Sequence, residues 1–271
     1  MIYRIAALAV ISFWAAMMSW LIYHDVWPAW SAQEPPRGVS VEGVWGEGTE
    51  SQVGIYDSRG NRVGTAWTTS MLMGQVVSRE DLVFIHRFPG LPPTRINVDS
   101  TFAPDGPLDE FKVNVEGHGI PIVLEGERFA GQFAFRLRAG TRDLKLKIPE
   151  SHAGMMGQMF RPFTRLGDLR VGQSWRMQVF NPFAAVSGFG SPFTPLLVQV
   201  TGRETLMRGR TTTECFVVEA AGSKALVGPD GTVYEQWVQL PVGGMIHIRD
   251  EPFDDEARTE AKGLSLTDSE D

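Results

Sequence analysis

The chain has 271 residues, 43% of them hydrophobic and 21% charged, with a formal net charge of −7. This allows one large domain or two small ones around a real core, and excludes a disordered or fibrous chain. The acidic balance, with 20 Arg and only 5 Lys among the bases, argues against a general nucleic-acid binder, and the single Cys215 excludes an intramolecular disulfide framework or a multi-cysteine metal site.

Residues 5–23, IAALAVISFWAAMMSWLIY, form a run of nineteen without a charge. At ~1.5 Å per residue a helix of that length reaches about 28 Å, enough to cross a bilayer core, and it exceeds the ~7–15 apolar residues of a signal peptide. Trp20, Tyr23, Trp27 and Trp30 follow where amphipathic rings settle among headgroups, so they are expected to form an interfacial belt. Arg4 and the amino terminus precede the span while His24 and Asp25 follow it. The bias predicts a single-pass inner-membrane protein, N-terminus inside, with its C-terminal domain in the periplasm or outside. The alternative is a cleaved signal ending at Ala29-Trp30-Ser31; both readings export the remainder. Residues 1–4 are then a cytoplasmic stub, and residues 24–40, which include SAQEPPRGVS, a linker.

A β domain is expected over residues 41–250. Residues 53–57 and 63–69 flank Ser58-Arg59-Gly60-Asn61 as a hairpin. Strand-like runs continue at 82–88, 95–102, 110–115, 120–124, 128–137 and 144–148, then at 174–180, 196–206, 211–221, 224–227, 233–240 and 245–248. Pro104-Asp105-Gly106-Pro107 and Pro229-Asp230-Gly231-Thr232 read as hairpin corners. Residues 128–137 show the clearest period-two alternation, with Phe129, Phe133, Phe135 and Leu137 towards one face. The predicted fold is mainly β: a transmembrane helix followed by one antiparallel curved sheet, half-barrel or sandwich, with at most one or two short helices. Two irregular stretches interrupt the strands: 150–173, with a short helix expected around 154–160, and 181–195. The segment from Arg249 to Asp271 has nine acids against three bases, a net of −6 that leaves −1 for everything before it. Residues 251–271 are therefore expected to be an acidic disordered tail.

The run from Val53 to Trp67, with Gly54-Ile55-Tyr56 and Val63-Gly64, resembles the opening hairpin of exported bacterial β-domains that precede transglutaminase-like domains. Gly172-Gln173-Ser174-Trp175, Phe180-Asn181-Pro182, Val200-Thr201-Gly202-Arg203-Glu204, Cys215-Phe216-Val217-Val218-Glu219 and Gln236-Trp237-Val238 resemble later fragments of that group, over about residues 45–250. Asn181 and Gln239 stand where the group carries acids. The resemblance implies a curved sheet like that of lipoprotein-carrier half-barrels, and no activity. With the chain stopping at Asp271, the catalytic domain is expected to be absent.

No catalytic, cofactor or metal motif stands out. Cys215 reads as a small buried hydrophobe on a strand. His24, His86, His118, His152 and His247 have no ligand spacing, and the carboxylate pairs Asp109/Glu110 and Glu125/Glu127 read as solvated turn charges. The adaptable apolar residues Met155, Met156, Met159, Phe160, Phe163, Phe183, Phe189 and Phe193 either plug the domain's own core or rim an apolar groove or partner surface. The expected function is that of a non-catalytic accessory or protein-interaction module, tied by residues 5–23 to the lipid bilayer and attached to a membrane complex or transporter. The alternatives are a carrier of a lipid, acyl chain or other apolar ligand and, more distantly, an unrecognised hydrolase.

Overall fold

A computed structural model describes residues 13–14, 16–20, 49–88, 92–103, 108–117, 121–149, 166–180, 193–240 and 244–264. Among them the chain is mainly β. The first eight strands are β1 (Thr49–Tyr56), β2 (Arg62–Met73), β3 (Val76–Ile85), β4 (Thr94–Phe102), β5 (Leu108–Gly117), β6 (Ile122–Phe129), β7 (Gln132–Ala139) and β8 (Arg142–Pro149). Six follow: β9 (Ser174–Phe180), β10 (Phe193–Arg208), β11 (Thr211–Ala220), β12 (Ser223–Val227), β13 (Val233–Leu240) and β14 (Gly244–Glu251). All fourteen belong to one antiparallel sheet, ordered β8-β7-β6-β5-β4-β3-β2-β1-β14-β13-β12-β11-β10-β9. Two meanders are thus fused where β1 pairs with β14, and β8 and β9 form the edges. Lys145, Lys147 and Pro149 on β8 are residue types that discourage further pairing at an edge.

One face of this sheet is apolar almost from edge to edge. Val53, Ala66, Val83 and Ile96 oppose one another on β1 to β4. In the other direction Ile55, Ile248, Gln236, Ala225, Val218 and Val200 continue the row through β14 to β10. These residues are buried, in one cluster centred on Phe111, Phe133 and Leu137 and a second on Trp175, Val198 and Val227. Among the described residues no second sheet covers this apolar face, and it is taken as the inner face of a curved sheet. The segment before β9 helps close the second cluster: Leu169 is buried in it, and the Leu166 amide donates to the Gly231 carbonyl at 3.0 Å.

The expected strand over 128–137 is two strands. Ala130 and Gly131 both take positive φ, 50° and 74°, and turn the chain tightly between β6 and β7. Phe129 is consequently 75% exposed, while Phe133, Phe135 and Leu137 beyond the turn are buried. The corner at Gly231 forms with φ 81°, whereas the one expected at 104–107 lies outside the described residues.

The disordered tail expected over 251–271 is corrected where it is described, at residues 251–264; residues 265–271 lie outside the described residues. Residues Asp255–Gly263 form a helix, α1, on the outer face. Its sequence has the parts a helix needs: Asp254 caps it by accepting from the Ala257 amide at 3.0 Å, and Asp255 and Glu256 sit at the positive end of its dipole. Ala257 and Ala261, four residues apart, face Trp67 and Leu82 with Phe253. Arg258 and Lys262 each reach Glu80 at 2.6 Å. Arg95 Nη1 donates to the carbonyls of Ala261, Lys262 and Leu264 at 3.2, 2.8 and 2.9 Å, closing the helix's C-terminal end. Arg95→Met keeps the aliphatic stem and removes those donors. It is expected to cost about 1.5–3 kcal/mol of local stability, read as faster amide exchange over residues 255–263 with strand amides unchanged.

Of the expected span, only residues 13–14 and 16–20 are described; they are helical and exposed, Trp20 among them. Among the described residues no helix is long and apolar enough to cross a membrane. Tyr23, Trp27, Trp30 and the linker 24–40 lie outside the described residues.

Candidate functional site

The outer face carries a polar cluster where β1, β2, β13 and β14 meet. An open groove of about 710 Å³ is lined by Gln52, Tyr56, Arg62, Glu251, Pro252, Phe253, Asp254 and Asp255. Glu251 lies across β1 and receives three donors: Tyr56 Oη at 2.5 Å, Arg62 Nη2 at 2.6 Å and Gln52 Nε2 at 3.2 Å. Gly54 makes room for it, since a Cβ there would lie 2.0 Å from Glu251 Oε1 and 2.7 Å from the Tyr56 ring. The hydrogen bond donated to Glu251, then burial, holds the Tyr56 phenol above its usual range.

Beside this groove His247 stacks on Trp237, with ring centroids 4.4 Å apart, and its Nε2 lies 3.0 Å from Glu235 Oε2. Arg249 Nε donates to His247 Nδ1 at 3.1 Å and its guanidinium covers the Tyr56 ring at 5.1 Å. This network assigns the tautomer: Nδ1 accepts, so Nε2 carries the proton and donates to Glu235. An imidazole backed by a carboxylate is the arrangement of a general base. Here the lone pair such a base would use is already engaged by Arg249.

Burial is the largest influence on His247 and pushes it below the ordinary histidine range; Glu235 opposes this and Arg249 adds to it. The folded state therefore prefers the neutral ring more than the unfolded chain does. Its contribution to stability is complete above the unfolded histidine pKa and is lost as the pH falls through that value towards the lower folded one. The urea midpoint is expected to fall between about pH 8 and about pH 5, and to fall less in His247→Gln.

Of the candidates singled out in the sequence, His247 stands at this site, whereas Cys215 and the carboxylate pairs Asp109/Glu110 and Glu125/Glu127 do not line it. Met155, Met156, Met159, Phe160, Phe163, Phe183 and Phe189 lie outside the described residues; Phe193 opens β10, opposite Phe180. Cys215 is fully buried with Val217 and Leu226, its sulfur 3.7 Å from the Thr213 carbonyl, and burial pushes its thiol up. That is the setting of an inert packing cysteine. Asp109 pairs with Arg128, and Glu125 with Lys112 and Arg138, so each of these carboxylate pairs contributes a member to surface ion pairs. Among the described residues no group of three or more His, Cys, Asp or Glu could hold a metal ion.

Glu251, Arg62 and Glu235 were not visible as a group in the sequence, because the pairing of β1 with β14 joins residues almost two hundred positions apart. A partial signal existed in the short fragments Gly54-Ile55-Tyr56 and Gln236-Trp237-Val238, whose Gly54, Tyr56 and Trp237 converge here across β14. No protein-family model, no curated protein and no solved structure matches the chain.

Proposed function

We propose that the chain is a single-span, membrane-anchored extracytoplasmic β-domain protein of non-catalytic accessory or protein-interaction type, attached to a membrane complex or transporter. The observation that carries this reading is an inner face whose described apolar side chains, from Phe133 and Phe111 to Val218 and Val227, are buried and packed on one another. A sheet whose inner face is used up in this way offers its outer face and hairpin ends to partners. The uncharged residues 5–23 supply the anchor, and the belt from Trp20 to Trp30 and the charge bias set its orientation. Tethering raises the domain's effective concentration towards membrane-bound partners. The relation to exported β-domains that precede transglutaminase-like domains belongs to the same proposal. Crosslinking and pull-down of the full-length protein in its membrane is the test: a defined membrane partner is expected, and recovery of the chain alone counts against an accessory role. Ser40 or Ser269, replaced by cysteine, labelled only from the cytoplasmic side would overturn the orientation.

A second reading, a carrier of an apolar ligand, is favoured by where the Met- and Phe-rich stretches attach. In sequence, residues 150–173 connect the edge strands β8 and β9, and residues 181–192 connect the edge strand β9 to β10. Lipid extraction and mass spectrometry of the purified protein decides it; absence of a bound lipid would rule against the carrier.

A further inference from the structure

Among the described residues, the exposed large apolar side chains of the sheet gather at one end. At the β2–β3 tip Met71, Leu72 and Met73 are 54%, 53% and 57% exposed, and Val76, across from Met73, is 37% exposed. Met71 and Met73 point to one face and Leu72 to the other, so this tip is apolar on both sides, as a hairpin projecting beyond its core must be. Phe129, 75% exposed, stands at the β6–β7 tip, and Met207, 74% exposed, at the β10–β11 tip.

The registers put these tips at the same end. Val77 opposes Phe102, Phe102 opposes Leu108 and Glu110 opposes Glu127, which carries the β2–β3 end of the sheet to Phe129. In the other direction Gln52 opposes Glu251, Val227 opposes Val233, and Phe216 opposes Val227, which leaves Arg208 and Thr211 at that same end. Each tip turns through a glycine of positive φ with open space around it: Gly74 at 68°, Gly131 at 74° and Gly209 at 62°. Towards the opposite end, among the described residues of the sheet, the exposed large apolar side chain is Met245, at 37%.

This is also the end at which the chain enters the sheet. β1 starts at Thr49 opposite Ser70, one residue from Met71. Twenty-five residues, 24–48, separate it from the apolar segment 5–23. A random chain of 25 residues has a root-mean-square span of roughly 25–30 Å, so attachment at Thr49 favours this end of the sheet over the other as the one nearer the membrane.

Resting on the membrane-anchored reading above, we propose that the tips carrying Met71, Leu72, Met73, Val76, Phe129 and Met207 insert into the interfacial region of the bilayer that holds the anchor. Lipid is the occupant these observations favour: the apolar residues are on separate tips at one end, as a plane requires, and the anchor attaches at that end. Inserting tips fix the standing orientation of the domain, with α1 and the Glu251 groove on its flank free for a partner.

The test uses the full-length protein reconstituted in phosphatidylglycerol–phosphatidylcholine vesicles with brominated acyl chains. A polarity-sensitive thiol fluorophore is placed at Leu72→Cys, Phe129→Cys or Met207→Cys, with Arg59→Cys at the opposite end as reference; buried Cys215 does not compete for label. The expected result is a blue-shifted emission at all three tips and quenching by brominated lipid at least about twofold stronger than at Arg59→Cys, as for side chains buried in the headgroup–acyl boundary. Retention of the protein through an alkaline wash, with tips no more quenched than the reference, overturns the insertion and leaves the anchor standing. Loss of the protein in that wash overturns the anchor and the insertion with it. A blue shift that depends on protein density and is insensitive to brominated lipid overturns lipid as the occupant in favour of a second copy.

Discussion

Phe133→Ala is expected to lower the unfolding free energy by about 3–5 kcal/mol, seen as a reduced urea midpoint at unchanged slope. Phe133 is fully buried, and its ring lies stacked on that of Phe111, centroids 5.6 Å apart at 11°. Both rings close over Gly126, where a Cβ would lie 2.5 Å from an edge carbon of each. The absence of a side chain on β6 is what lets rings from β5 and β7 meet across it. The hydrogen-bonded strands fix the backbone on both sides, so the space left by Phe133→Ala cannot collapse. The complementary change, Gly126→Val, is expected to cost about 1–3 kcal/mol by overpacking. Because both substitutions act on one volume, Gly126→Val should cost less in the Phe133→Ala protein than alone. Additive costs would show that ring and glycine do not share that space.

The same region shows what sequence reasoning could reach. Alternation of Phe133, Phe135 and Leu137 marked an inner face, and these residues are buried. Alternation did not mark the turn at Ala130 and Gly131, because Phe129 and Gln132 extend the same pattern across it. All fourteen expected runs overlap strands, since period-two patterning and glycine turns are local signals. The strand-like run over 82–88 belongs to β3, which starts earlier, at Val76, through the polar Ser78, Arg79, Glu80 and Asp81, which lack apolar alternation. The fusion of the meanders through β1 and β14 is non-local, and with it the cluster around Glu251 and His247 was out of reach. The tail misled for the opposite reason. Its net charge was read as a mean property, whereas the helix depends on position: a cap at Asp254, small residues at Ala257 and Ala261, and an arginine from β4 at the far end.

Asp81→Ala is expected to destabilise the protein by about 3–5 kcal/mol, an effect as large as that of the aromatic core though no apolar contact is deleted. On β2, β3 and β4 the apolar inner row gives way to a polar patch. Thr68 opposes Asp81, Ser70 opposes Arg79, and Arg79 opposes Ser100. Arg79 Nη2 donates to Asp81 Oδ1 at 2.9 Å, and the Thr68 hydroxyl donates to the same oxygen. Arg79 Nε lies 2.8 Å from Oδ2 but without hydrogen-bond geometry, so the pair has one good bond and one close charge contact. Both side chains are only 10% exposed, too buried for water to replace a lost partner. Removing the carboxylate leaves the guanidinium desolvated and uncompensated, while the Ser100 hydroxyl, buried and without a hydrogen-bond partner, cannot accept all that Asp81 did. The pair itself contributes little net stability, because desolvating two charges consumes most of their attraction. Replacing both at once, Arg79→Met with Asp81→Leu, is therefore expected to fall within about 1–2 kcal/mol of the natural protein. Added salt should leave the Asp81→Ala deficit unchanged, since counterions screen exposed charges and do not enter this face. A deficit that salt removes would place the patch in contact with solvent and reopen the inner face at this point as a polar binding surface.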